Sequence, residues 1–494
     1  MFSFLISIVA LLAGYFLYGR LVEHIYKPDP TAITPANAQK DGVDYIPMPN
    51  WKVFMIQFLN IAGTGPIFGA IMGAQFGPSC YLWIVFGCIF AGAVHDYMGG
   101  MISMKYGGVS IADITGHYFG KGIKILMTFI IMLLLILVGA VFVYSPALIL
   151  GDIAGFFSTR QGSVMFWVVV IFAYYFLATL MPIDKIIGRI YPVFAFSLLF
   201  MAVALFVCLL AKWPVIPEFW DGLQNRGPQT GMNGQSIFPC LFITVACGAI
   251  SGFHGTQSPL MARCIKSETS GRRIFYGAMI TEGLVALVWA AVGSYFFFDG
   301  GMAEVGAAGS QAPEVVTSVA KSWLGVFGSV LALLGVVAAP ITSGDTAMRS
   351  ARLIVAGLLK IDQKPIHNRL RVCIPIFVAS MLLLWFNIAD EDGFNTIWRY
   401  FGWFNQTLAC FMLWTLTLWL VRHRKGLSYL VTLVPACFMT SVCVTYICIQ
   451  KIGFNIPDKF TPWIACVTLL LCILLAVKLV RKHKGVALLA DNIV

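Results

Sequence analysis

Charge is scarce in this chain. Asp, Glu, Lys and Arg make up 11% of its 494 residues, while 59% are apolar. A soluble globular domain carries about 25% charged residues, so most of this surface cannot face water. The net charge of +11 does not point to a nucleic acid, because the basic residues sit in short stretches between apolar runs and form no continuous patch. The thirteen cysteines lack any CxxC-type pairing and fall within or beside the apolar runs. They read as reduced, small apolar fillers, which excludes a disulfide or zinc framework. HExxH, Gly-x-Ser-x-Gly and Walker-type phosphate loops are all missing, so the chain reads as a non-enzyme without a cofactor or bound metal. Long hydrophilic stretches are missing too. The longest, about residues 21–52, is too short for a signalling domain, although it could cap one side of a membrane protein. The first apolar run, Phe2 to Leu21, has no basic leader and no small-residue cleavage site, and reads as a retained helix.

What remains is a succession of apolar runs, each of about 20 residues and so long enough to cross a bilayer. The sequence predicts an all-α polytopic membrane protein with about thirteen spans, at residues 2–20, 53–76, 80–104, 124–146, 164–181, 188–211, 236–262, 274–298, 322–348, 372–388, 395–420, 427–448 and 461–480. The distribution of Lys and Arg tests this reading independently. With the N-terminus outside, 26 of the 33 basic residues fall on the cytoplasmic side and 7 outside. The C-terminus, with Lys478, Arg481, Lys482 and Lys484, is then expected inside.

Two of the spans are unlike the rest. One contains Asn60-Ile61-Ala62-Gly63-Thr64-Gly65-Pro66 and the other Cys247-Gly248-Ala249-Ile250-Ser251-Gly252-Phe253-His254-Gly255. Such stretches free backbone N–H and C=O groups in mid-membrane, which is tolerable only where protein or a cavity satisfies them. The two interrupted spans are five apart, an odd number, so the second runs opposite to the first. Paired broken helices in oppositely oriented halves mark the binding site of many transporters. The structural alternative is close helix packing through small residues. The expected division is an extra N-terminal helix and loop (1–50), a first five-helix repeat (51–211), an inverted second repeat (236–421), and two C-terminal helices with a basic tail (422–494).

Ionisable residues inside a bilayer are costly and mark function by default. The apolar spans retain His95, Asp96, His254, Glu282 and Asp345. His95 and Asp96 are neighbours about 100° apart on a helix, so they are expected to serve different partners, either as a proton site or as a structural pair. Thr342, Ser343 and Asp345 follow Pro340, where hydroxyls beside a loosened backbone suit a hard cation; an ion pair from Asp345 to Arg349 at i,i+4 is the structural alternative. Asn405 and Gln406 read as hydrogen-bonding glue between helices. Glu282 reads either as a proton site or as a buried structural carboxyl.

These stretches resemble the carbon starvation protein A family. The resemblance rests on Ile61 to Gly69, Ala91 to Tyr97, Ala246 to His254, Thr342 to Arg352 and Phe401 to Gln406, five ordered segments within about residues 50–420. Many relatives carry paired histidines where this chain reads Ile56-Gln57-Phe58, and glutamine where His95 stands. The resemblance implies a bacterial inner-membrane transporter taking up peptides or pyruvate during carbon starvation, a stress response. It also implies a leucine-transporter-type five-plus-five inverted repeat, here with one extra N-terminal and two extra C-terminal helices. On this reading the partners are the lipid bilayer and a small-molecule or short-peptide substrate. Gly63, Thr64, Gly65, Ser251, Gly252, His254, Asn405 and Gln406 would face the substrate. His95, Asp96, Thr342, Ser343 and Asp345 would serve a co-transported cation, a proton first and sodium second. An uncoupled channel or facilitator is the rival from another class.

Overall fold

A computed structural model describes residues 1–153, 157–181, 187–223, 235–299, 312–389 and 393–483, and among these the only regular structure is helical. In lipid a helix satisfies every backbone group within its own segment, and this chain supplies helices apolar on nearly all faces. The first is α1 (Phe2–Tyr26). It is followed by a bent pair, α2a (Asn50–Ile61) and α2b (Gly65–Ala74), which meet at 56°. Next come α3 (Ser79–Lys105), the short α4 (Ile111–Phe119), α5 (Lys121–Ile153), α6 (Arg160–Leu180) and α7 (Ile187–Lys212).

The second half opens with two short helices, α8a (Ile237–Thr244) and α8b (Gly252–Ala262). It continues through α9 (Glu268–Phe298), α10 (Ala312–Leu359), α11 (Ile366–Ala389), α12 (Gly393–His423), α13 (Leu430–Ile449) and α14 (Thr461–His483).

Ten of the described helices are long and apolar enough to cross a membrane, and the bent pair makes an eleventh. The chain is therefore a multi-pass membrane protein. Two expected spans are not among these eleven. Residues 236–262 form two helices of 8 and 11 residues, each too short to cross alone. Residues 322–348 lie inside a 48-residue helix that kinks at Gly325, where φ is +64°, a backbone geometry that favours glycine. Helix α4 was not expected: Ser110 caps its N-terminus by accepting from the Asp113 amide. Of the expected C-terminal basic cluster, Lys484 lies outside the described residues.

Burial sorts the helices into interior and rim. The apolar windows of α3 and α9 are 83% and 89% buried, whereas that of α14 is only 17% buried. On α14 the exposed Leu470, Leu471 and Leu474 offer the bilayer the same chemistry that the core offers its own side chains. Long α5 packs against α4, α6, α10, α11 and α12, and α9 packs against α1, both halves of the bent pair and α7.

The broken helices cross each other directly. Gly65, Gly69 and Gly73 form a stripe on α2b that lies against Cys247, the Thr244 carbonyl and Val245. A Cβ on Gly69 would stand 2.9 Å from the Thr244 carbonyl oxygen, which is backbone and cannot yield. The small-residue packing reading and the broken-helix reading thus describe one crossing. We expect Gly69→Leu to destabilise the protein by about 1–3 kcal/mol or more through overpacking, seen as a lower unfolding temperature in detergent. Gly357→Leu, at a position with open space around it, should leave that temperature unchanged.

Candidate functional site

The site grows out of the first break. Helix α2a stops because Gly63 turns its amide back to the Ile61 carbonyl (2.9 Å) instead of continuing to Leu59. The Leu59 carbonyl, deprived of its usual donor, accepts the Ser343 hydroxyl from α10 at 2.9 Å. The amides of Thr64 and Gly65 reach no backbone carbonyl among the described residues. The Asn60 side-chain amide and the Thr64 hydroxyl are also buried without a protein partner. An unsatisfied buried polar group costs about 1–3 kcal/mol, so this concentration marks a place prepared for a polar guest. The Phe142 ring closes it: a Cβ on Gly63 would lie 2.7 Å from that ring and 3.2 Å from the Ser343 hydroxyl.

The second break is more fully tied. The Val245 carbonyl accepts the Trp83 indole N–H (2.9 Å) and the Phe242 carbonyl accepts the Gln406 side chain (3.2 Å). At the start of α8b, Asn405 Oδ1 accepts from the Phe253 amide (2.7 Å) and the Ser251 hydroxyl (3.0 Å). Asn405 is therefore an N-terminal cap supplied by another helix, more specific than packing glue. The Ser251 and Gly252 amides find no backbone carbonyl among the described residues. Phe253 stands edge-on to Phe142 at 6.1 Å, so an aromatic pair joins the two breaks.

Behind α8b lies a line of ionisable groups drawn from three helices. His95 Nδ1 is 2.7 Å from Asp96 Oδ1, and His254 Nδ1 is 2.9 Å from Asp96 Oδ2. His254 Nε2 is 3.5 Å from Glu282 Oε2. All four side chains are fully buried. The expectation that His95 and Asp96 serve separate partners is corrected here. Both side chains are short, and a Nδ1 atom close to its own backbone can turn sideways to a neighbouring carboxylate despite the 100° offset.

A carboxylate only accepts hydrogen bonds, so an ionised Asp96 requires Nδ1–H on both imidazoles. The far nitrogens, Nε2 of each ring, are buried without a hydrogen-bond partner, and Glu282 lies beside one of them. His254, expected among the substrate-facing residues, belongs to this line, and Glu282 joins it. The π-helical turn Cys88–Gly92 immediately precedes His95 and Asp96; such turns often occur at functional sites.

The hydroxyl segment after Pro340 is largely committed to the protein. Thr342 donates to the Ala338 and Ala339 carbonyls at 2.8 and 2.9 Å, and Ser343 bridges to the first break. The Tyr191 hydroxyl is 2.7 Å from Asp345 Oδ2 and 2.9 Å from the Thr342 carbonyl. Asp345 Oδ1 is buried without a partner. The Asp345–Arg349 ion pair does not form, because Arg349 turns away to the Ala178 and Met181 carbonyls, each at 2.8 Å.

Sequence reasoning also missed Tyr191 and Tyr175. The latter's hydroxyl lies 2.8 Å from the Phe142 carbonyl and 3.1 Å from that of Pro340. Both are tyrosines in apolar runs, and only their burial with a distant acceptor distinguishes them. The structure thus gathers Gly63, Thr64, Gly65 and Ser343 at the first break and Ser251, Gly252, Asn405 and Gln406 at the second. His95, Asp96 and His254 form the ionisable line, and Asp345 stands apart with Tyr191.

Interrupted helices within a multi-pass helical protein recur in solved membrane-transporter structures that carry the same fold. Two mutants of the Eremococcus coleocola manganese transporter align with TM-scores of 0.52, covering 90% of this chain and 99% of theirs, at 12 and 13% identity. That likeness is one of fold alone. The chain belongs to the carbon starvation protein CstA family, whose profile matches residues 1–153, 153–324 and 299–446. A Campylobacter jejuni relative named peptide transporter CstA is 28% identical, over 89% of this chain and 78% of its own. An Escherichia coli relative named pyruvate/proton symporter BtsT is also 28% identical, over 57% of this chain and 47% of its own. A Haemophilus influenzae membrane protein without a described function is 45% identical, over 60% of this chain and 91% of its own.

The Asn405 cap gives a direct prediction. Asn405→Ala leaves the Phe253 amide and Ser251 hydroxyl without their acceptor, at a cost of about 1–3 kcal/mol. Hydrogen exchange at the start of α8b should accelerate, while exchange in α14, at the rim, should not change.

Proposed function

We propose that this protein is a secondary active transporter that imports small carboxylate-bearing nutrients, short peptides or pyruvate, by proton symport with alternating access. The observation that carries this reading is the Asp96 carboxylate suspended between His95 of α3 and His254 of α8b. It is a buried proton-exchanging centre one helical turn from the second break, since the His254 amide donates to the Ser251 carbonyl at 3.2 Å. The free amides of Thr64 and Gly65, with Asn60 and the Thr64 hydroxyl, form the first cradle for a substrate carboxylate. The Ser251 and Gly252 amides at the positive end of α8b form the second. Asn405 holds that end in place, and Gln406 steadies the carbonyl end of α8a. Protonation of the His95–Asp96–His254–Glu282 line alters the electrostatics beside α8b and so links proton movement to the substrate.

In this reading the helices from α2a to α7 and from α8a to α12 are the two inverted five-helix repeats. Helix α1 precedes them and α13 and α14 follow, giving thirteen spans with the N-terminus outside and the C-terminus in the cytoplasm. The matching placement of the breaks at the start of each half, and the bias of basic residues to one side, support this arrangement. Sodium coupling is the second reading, favoured by the oxygen atoms of Leu59, Thr342, Ser343 and Asp345 around Pro340. Their present hydrogen bonds to one another and to Tyr191 make it second.

Proteoliposomes test both readings with labelled pyruvate, a dipeptide and a tripeptide. Saturable uptake should follow an imposed proton gradient and ignore a sodium gradient. Asp96→Asn should abolish accumulation against a concentration gradient while retaining substrate exchange. Gly63→Leu should abolish both, because its side chain would collide with the Phe142 ring and the Ser343 hydroxyl at the first break. Flux that ignores both gradients and does not saturate would establish a facilitator instead.

A further inference from the structure

At the other end of α10 from Gly325, beyond the crossing, lies a second polar constellation. Arg349 and Arg352 are both fully buried. Arg349 spends one nitrogen on the Ala178 and Met181 carbonyls, and Arg352 spends one on Gln363 Oε1 at 2.8 Å. The other four nitrogens, Nε and Nη1 of Arg349 and Nε and Nη2 of Arg352, have no hydrogen-bond partner. The Asp44 carboxylate stands within ion-pair distance of both, and Asp345, one turn back on α10, lies near them as well. Asp44 Oδ1 stands 3.6 Å from Arg349 and 3.8 Å from Arg352, beyond hydrogen-bond range but within ion-pair range. The ion-pair contacts from Asp44 to these two buried cations are thus loose, and buried charge without a well-placed partner is costly.

Asp44 belongs to the loop between α1 and α2a, which is attached both by buried apolar residues, Ala36 and Met48 with Ile46 against the core, and by polar contacts. The Met48 amide donates to the Cys264 carbonyl (3.0 Å), the Tyr45 hydroxyl to the Gly107 carbonyl (3.2 Å), and Asn37 to the Lys266 carbonyl (3.2 Å). The Arg263 guanidinium lies 5.0 Å from the Tyr45 ring. The turn that presents Asp44 is self-contained, with Asp41 Oδ1 accepting from the Val43, Asp44 and Tyr45 amides. Beside it, between α8b and α10, a cavity of about 30 Å³ is lined by Thr256, Arg263 and Ser350. That is enough for a water and adjoins Arg349 in sequence.

We infer that the Arg349–Arg352 pair is a transit site for the carboxylate of a departing substrate, faced in this structure by the Asp44 carboxylate as a built-in stand-in. Guanidinium forks match carboxylates in a two-toothed geometry that the tethered Asp44 does not achieve. A free small carboxylate can seat at hydrogen-bond distance and displace the loop. The site lies on the side that the basic residues make cytoplasmic, where an imported substrate leaves. The inference rests on the carboxylate reading of the substrate, but its test does not require transport.

Lys40 is exposed on this loop and reports its release as a trypsin site. The purified full chain in detergent is digested with acetate, pyruvate or neutral acetamide, at ionic strength matched with sodium chloride, and the N-terminal fragment ending at Lys40 is timed. Cleavage of the wild type should be slow, and several-fold faster with acetate or pyruvate but not with acetamide or added chloride. In Asp44→Asn it should be fast and indifferent to carboxylates. The double variant Arg349→Gln/Arg352→Gln should behave likewise; if it does not fold, the wild-type titration and Asp44→Asn decide. Wild-type cleavage that ignores carboxylates, or responds equally to chloride, overturns the inference. Carboxylate-dependent cleavage in a protein that transports neither pyruvate nor peptides would sink the proposed substrate and leave the site standing.

Discussion

Everything in this molecule depends on how main-chain amides and carbonyls freed inside a bilayer are satisfied. Two helices stop and restart within the helical bundle, and each break releases groups that lipid could not serve. The protein answers four of them with side chains from elsewhere: Ser343 for Leu59, Trp83 for Val245, Gln406 for Phe242 and Asn405 for Phe253. The amides of Thr64 and Gly65 at the first break, and of Ala246, Cys247, Gly248, Ser251 and Gly252 at the second, reach no backbone carbonyl among the described residues. The pattern of answered and unanswered groups defines the site more sharply than any single residue does.

The glycines make that crossing possible, and the crossing in turn explains the surrounding chemistry. With Gly65 and Gly69 against Cys247 and Thr244, α2b and α8a approach backbone to backbone. That closeness brings α8b beside α3 and α9, and so sets His254 between Asp96 and Glu282. A buried His–Asp–His–Glu line in a region this dry is a product of tertiary packing: its members come from positions 95, 96, 254 and 282, and no helix contributes more than two.

Much of the frame was legible in the sequence, because the signals were local. Apolar runs, the Gly63-Thr64-Gly65-Pro66 and Ser251-Gly252 interruptions, and the rarity of intramembrane charge each show within a dozen residues, as do the motifs that carry the family resemblance. What was not legible depends on distant partners. Asn405 looked like neutral glue until its acceptor was seen capping a helix 150 residues away in the chain. Asp345 looked paired with Arg349 by spacing, but Tyr191 takes the carboxylate and backbone carbonyls take the arginine. His95 and Asp96 were separated by a helical-wheel argument that treats side chains as rigid spokes. The division at residues 236–262 was visible as glycine-rich sequence, yet the shortness of both pieces follows from caps that only the fold supplies.

The two fastenings at the breaks also dictate how the molecule can change shape. Ser343 pins the end of α2a to α10, whereas Asn405 pins the start of α8b to α12. Each interrupted helix is thus bolted at its weak point to a different long neighbour. Relative sliding of these two assemblies is taken up where glycine faces Cys247 and Thr244, a seam with no hydrogen bond among those described here. That seam is dry, so the polar resistance to such sliding falls on the Ser350 hydroxyl of α10, which donates to the Thr256 carbonyl of α8b at 3.1 Å, and on Gln57 of α2a, 3.5 Å from Ser258 of α8b.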